Sequence, residues 1–150
     1  MLSRQAAKFF RMNYDMEHTE FTKSLMAGVF AGIAATVISL LFNTFFRGYT
    51  GFFLSEIINV STVIFALLTL GTIAGPVFYF FHHYLKTGTA LFQFASIIIT
   101  ILLVIGGMQV QRSTDAIATK EFRELLAGVI IITGLCISIG IPFLYKHDYI

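Results

Sequence analysis

The chain has 150 residues, of which 57% are hydrophobic and 12% charged, half the roughly 25% charged content of a soluble domain. Ten Lys/Arg against eight Asp/Glu leave a net charge of +2, too small a balance to suggest nucleic acid as a partner. A single cysteine, Cys136, excludes an internal disulfide, a CxxC redox pair and a cysteine-based zinc site. The length fits one compact unit, and with a mean hydropathy of +0.82 that unit is expected to be a single transmembrane domain.

Residues 1–22 precede the first apolar run. Arg4, Lys8 and Arg11 share one helical face, with Leu2, Ala6, Phe9 and Phe10 roughly opposite. This pattern suits an interfacial helix on anionic headgroups, each basic residue contributing about 1 kcal/mol near the surface. The plainer reading is a tail whose charges set topology. The first apolar run is too long for a signal-peptide core and carries no small-residue cleavage site, so it is expected to stay in the membrane.

Four spans are predicted, at about residues 24–46, 56–81, 90–109 and 123–144, since a hydrocarbon core of about 30 Å takes roughly 20 helical residues. The first has two faces. Ser24, Ala27, Gly28, Ala31, Gly32, Ala35, Thr36, Ser39 and Asn43 share one side, and Met26, Val29, Phe30, Ile33, Val37, Leu40 and Leu41 the other. Lipid is as apolar as leucine, so helices associate in it through small residues that let backbones approach. The small side is therefore expected to meet protein, namely a stripe in the second span that includes Gly71, Gly75 and Pro76. That side covers about half the circumference, wider than one helix needs. Another span of the chain, or a second copy, is expected on the remainder, the internal seam being preferred.

Short links at Arg47–Gly51 and His82–Gly88 force antiparallel neighbours, which makes an up-down-up-down, all-α four-helix bundle the expected fold. In the second span Ser61, Thr69, Thr72, Gly75, Pro76 and Tyr79 cluster on one side. Pro76 cannot bond the Thr72 carbonyl, which predicts a kink. The third span carries a seam of Thr89, Gln93, Ser96, Thr100, Gly107 and Gln111, expected to face protein or water because polar groups facing lipid go unpaired. Asp115 or Thr119 is a candidate cap for the fourth span. That span offers Ala127, Gly134 and Ser138 on one side and Thr133, Cys136 and Gly140 on another, and Pro142 is expected to end it. Six Lys/Arg (Arg4, Lys8, Arg11, Lys23, Lys86 and Lys146) fall on one side of such a topology and four (Arg47, Arg112, Lys120 and Arg123) on the other. The excess predicts both termini in the cytoplasm and a multi-pass protein of the plasma (inner) membrane.

The span interiors hold no Asp, Glu, Lys, Arg or His, which leaves proton relays and voltage sensors without their usual groups. No nucleophile–base pair, carboxylate pair or metal cluster appears, so no enzyme, catalytic residue, cofactor or metal is expected. Glu56 stands at the outer edge of the second span, as a cation or proton ligand or, more simply, as a first-turn carboxylate behind a Ser55 cap. His18, His82, His83 and His147 share one membrane side. Adjacent His82 and His83 point about 100° apart on a helix and do not suit one ion. Asn43 and Asn59 flank the first outer loop, either paired across it or as caps.

At Ile58-Asn59-Val60-Ser61, after a Gly/Ala-rich first span, the chain resembles a family of small uncharacterised four-helix bacterial membrane proteins. In these an Ile-Asn-Pro-x-Ser-like element opens the second span, and here Val60 stands in place of the proline. The resemblance implies a four-helix fold in a bacterial plasma membrane and no activity. The expected function is that of a structural or accessory membrane protein whose partners are the lipid bilayer, copies of itself as a homo-oligomer, or another membrane subunit. The alternative is an oligomeric small-solute or ion transporter or channel. Its polar pathway would run along Gln93, Ser96 and Thr100, with Asn43, Glu56 and Asn59 at the mouth and Pro76 as hinge.

Overall fold

The computed structural model describes residues 2–51, 59–111 and 116–147, and every regular element in them is helical. These elements are α1 (Leu2–Thr50), α2 (Val60–Tyr84), α3 (Gly88–Met108) and α4 (Ala116–Leu135), the last running through a π turn (Cys136–Gly140) into a short α5 (Ile141–Lys146). Four stretches are long and apolar enough to cross a membrane: Thr19–Thr50, Val60–Tyr84, Gly88–Met108 and Ala116–Lys146. The shortest has 21 residues, about 31 Å of helix, which matches a hydrocarbon core of about 30 Å.

The helix ends follow from local chemistry. Gly51 has φ +69°, and its N–H returns to the Arg47 carbonyl at 2.9 Å, a left-handed cap that closes α1. The Arg47–Gly51 stretch, expected as a turn, is thus largely the last turn of α1. Asn59 is the N-cap of α2: its backbone is extended, and its Oδ1 accepts from the Thr62 N–H at 2.8 Å. The helix therefore starts at Val60 rather than near 56, and Ser55 and Glu56 lie outside the described residues. It continues unbroken through Pro76 to Tyr84, three residues past the expected end. Gly88 opens α3 against the Phe81 carbonyl, so closely that a Cβ would collide with it. Thr119 is no cap, because α4 begins at Ala116 and buries it; Asp115 is outside the described residues. Arg123 Nε donates to the Val110 carbonyl at 2.7 Å and ties α4 to the end of α3.

α1 and α2 make the closest contact. Numbers rise on one as they fall on the other: Ser24 lies against Gly75, Gly28 against Gly71 and Gly75, and Gly32 against Leu67 and Gly71. A Cβ on Gly71 would stand 2.6 Å from both the Gly28 carbonyl oxygen and the Gly32 Cα, so the two backbones touch. All nine residues of the small side of α1, from Ser24 to Asn43, are buried, while Met26, Phe30, Ile33, Val37 and Leu41 are exposed. The face is wide because it holds two partners. α2 covers its glycines, and α4 with the π turn and α5 covers the rest. Ala35 packs with Phe122, Leu125 and Val129 in one cluster, and Ala27 and Ala31 with Phe78 and Ile141 in the other.

On α2 the buried line is Val63, Leu67, Gly71, Gly75 and Phe78, so Gly71 and Gly75 meet α1 as expected while the serine and threonines of the expected cluster do not. Ser61, Thr69 and Thr72 are exposed, and Pro76 is half-buried beside Gly75. Thr72 explains the error: its Oγ1 donates to its own helix at the Leu68 carbonyl, 2.8 Å away. A hydroxyl satisfied within its own turn need not seek a neighbour.

α4 is two-sided, as expected. Gly128 lies against Phe42 and Gly140 against Ala31, both on α1, whereas Gly134 lies against Thr100 on α3. Pro142 does not end the helix. Its ring would collide with the Ser138 carbonyl in a regular α-helix, and Ser138 lies in the π turn, whose wider spacing carries the chain on to Lys146. Residues 2–22 are not a separate element either, since they are continuous with the first span.

Candidate functional site

The candidate site is built at the end of the bundle where Ser24, the carboxyl end of α2, the start of α3 and α5 meet. Phe78 is its floor. Only 1% exposed, it makes edge contacts with Phe92 at 5.1 Å and Tyr145 at 5.3 Å and stacks under His82 at 5.6 Å. His82 Nδ1 is 3.1 Å from Thr89 Oγ1, and its ring meets the edge of Tyr145 at 4.9 Å. Lys23 Nζ lies 5.4 Å above the Tyr145 ring, a cation–π contact from α1. These rings hold three helices in register around a cavity of about 600 Å³ that His82, Thr89, Gln93, Tyr145, Lys146 and His147 line on its polar side.

The two adjacent histidines do different things. His83 points to α1, with Nδ1 3.8 Å from the Glu20 carboxylate and its ring stacked on Tyr79 at 5.3 Å. His82 belongs to the cavity, and His147 Nδ1 lies 3.1 Å from its own Phe143 carbonyl. Among the described residues no three of His, Cys, Asp and Glu converge to hold a metal ion.

The candidate pathway residues do not gather along one path. Gln93 opens to the cavity just described and to the groove that continues it between α3 and the π turn. Ser96 instead lines a mostly apolar cavity of about 300 Å³ between α2, α3 and α4 that Gln93 does not line, with Thr133 on its far wall. Thr100 borders that cavity and the α3–α4 groove, and its Oγ1 is spent on the Ser96 carbonyl at 2.7 Å. Asn43 is no mouth residue. It is 3% exposed with its Oδ1 unbonded among the described residues, and of the two readings of Asn59, pair or cap, the cap on α2 is the one seen. Glu56 lies outside the described residues.

The packing residues are brought together: Gly28, Gly32, Gly71 and Gly75 form the α1–α2 contact, Ala35 the adjoining core, and Ser39 a wholly buried point further along the same face. No known protein family, no curated protein and no solved structure matches the chain.

Tyr145, Lys146 and the π turn are the parts of the candidate site that the sequence alone did not point to. A basic residue at a helix end reads as a topology signal, and only the carry of the chain through the π turn brings Tyr145 onto Phe78 and His82. The adjacency of an aromatic and two cationic types in Tyr-Lys-His at 145–147 was the one available hint.

Proposed function

We propose that the chain is a multi-pass membrane protein of structural or accessory type. It is a four-helix up-down-up-down bundle with both termini cytoplasmic in a bacterial plasma membrane, it carries no catalytic centre, and it acts by packing against another membrane subunit, a copy of itself or lipid. One observation carries this reading. The small faces are consumed inside the chain, while α3 turns bulk outward almost all round: Phe94, Ile97, Ile98, Ile99, Ile101, Leu102, Leu103 and Ile105 are all between 45% and 68% exposed. Apolar surface of that extent belongs against hydrocarbon or a partner's helices, not water. Against a solute path within one copy speaks the parting of Gln93 and Ser96 into different cavities.

The test is expression followed by alkaline carbonate washing of membranes, then nanodisc reconstitution and native mass spectrometry. Retention in the washed membrane, with a stoichiometric partner or a defined homo-oligomer, is the expected result. Release into the carbonate supernatant, or saturable solute flux in vesicles from a monomer, would sink the reading.

A further inference from the structure

The cavity floored by Phe78 is the wide end of a longer feature. Gln93 and Ile139 are shared between it and the next recess, and Ile97 and Ser138 between that recess and a third, so that one groove runs between α3 and α4–α5. On α3 its wall steps through Thr89, Gln93, Ile97, Ile101 and Ile105, each four residues on, a span of about 24 Å at 1.5 Å per residue. The π turn forms the opposite wall.

The groove has a polarity that matches one class of molecule. At its wide end stand Lys146, His82 and His147, and among the described residues no Asp or Glu lines it. α3 begins there without a side-chain cap, so its first N–H groups add positive potential. One helical turn deeper, about 6 Å, is Gln93, a half-buried amide with no hydrogen bond among the described residues. Beyond it the third recess is walled by isoleucines, Val104 and Leu135, with Thr100 bonded to its own helix at Ser96 and Ser138 buried. Its length beyond Gln93, about 18 Å along α3, is enough to hold the acyl chain of one leaflet, about 15 Å in a hydrocarbon core of about 30 Å.

We infer that this groove seats one anionic glycerophospholipid, with its phosphate at Lys146 and Thr89, an ester carbonyl accepting from the Gln93 amide, and one acyl chain along Ile97 to Ile105. The inference rests on the membrane reading proposed above. The ladder of cation, amide donor and hydrocarbon wall repeats the ladder of phosphate, ester and tail in the ligand, which a free phosphate ion would not use.

The deciding experiment is native mass spectrometry of the full chain reconstituted with equal phosphatidylglycerol and phosphatidylcholine of identical acyl chains. The wild type is expected to retain one phosphatidylglycerol in about fivefold preference, the ratio that one lysine beside an anionic headgroup supports. Lys146→Gln is expected to abolish the preference, Gln93→Leu to lower retention of both lipids while keeping it, and Lys120→Gln, at the other end of the bundle, to change neither. Equal retention of the two lipids, a preference that survives Lys146→Gln, or displacement of the lipid by millimolar inorganic phosphate would overturn the inference. Lys146 is exposed at a helix end, so its arm decides even if Gln93→Leu fails to fold. Release of the protein by carbonate sinks the membrane reading itself, whereas a retained protein without lipid preference sinks only the groove.

Discussion

A glycine's worth in this bundle depends on what stands opposite its hydrogen. At Gly71 the opposite atoms are backbone, which cannot rotate away. Gly71→Ala must therefore part α1 from α2, and the expected cost is that of overpacking, about 1–3 kcal/mol or more, read as a fall in the midpoint of detergent unfolding. Gly106 is the control. Nothing lies within 4 Å of a Cβ built there, so Gly106→Ala is expected to hold or raise the same midpoint, since alanine favours a helix interior over glycine by roughly 0.5–1 kcal/mol. Ser39 makes the same point in polar terms. Its hydroxyl is wholly buried and unbonded among the described residues, so Ser39→Ala is expected to be neutral or mildly stabilising, where a loss above about 1 kcal/mol would reveal a partner.

Among the elements, the segment from α4 to α5 is the most exacting. The π turn inserts an extra residue's worth of spacing, and by doing so it sets the direction in which Ile141, fully buried against α1, and Pro142 face. A further residue inserted after Ile139 would find no second bulge to absorb it and would turn everything beyond it by about 100°, bringing Ile141 out of the core. The expected outcome is loss of the folded monomer on size-exclusion chromatography, while Pro142→Ala, which leaves the register alone, keeps it. Legibility in the sequence differed between elements for the same kind of reason. The two faces of α1 could be read because volume alone sorts side chains in lipid, and Gly28 and Phe30 differ in nothing so much as volume. The face of α2 was legible in Gly71 and Gly75 but not in the hydroxyls grouped with Gly75, since Thr72 bonds its own turn at Leu68 and stays exposed. The π turn and the site it builds were not legible at all. They depend on Pro142, on the room beside Ala31 and on Tyr145 finding Phe78, contacts from three helices that no local pattern encodes.

For the whole molecule, the arrangement makes a topological claim that labelling can check. In a Cys136→Ser background, single cysteines at Lys8 and Lys146 are expected to react with a membrane-impermeant maleimide from one side, and a cysteine at Lys120 from the other. Lys8 and Lys146 reacting from opposite sides would mean an odd number of crossings.

The unbroken winding of α1 has a geometric corollary. A helix without a joint carries its phase with it, so the bearings of Arg4, Lys8 and Arg11 are set by that of Gly28. Counted at about 100° per residue from the glycine, Lys8 falls near 160°, Arg4 near 120° and Arg11 near 100°. Met26, at about 160°, and Ile33, at about 140°, share that bearing on the exposed side of the span. The three cations thus stand in column above the apolar residues that face away from α2. If the rod leans, the direction that brings charge onto phosphate is also the one in which its greasy flank already looks.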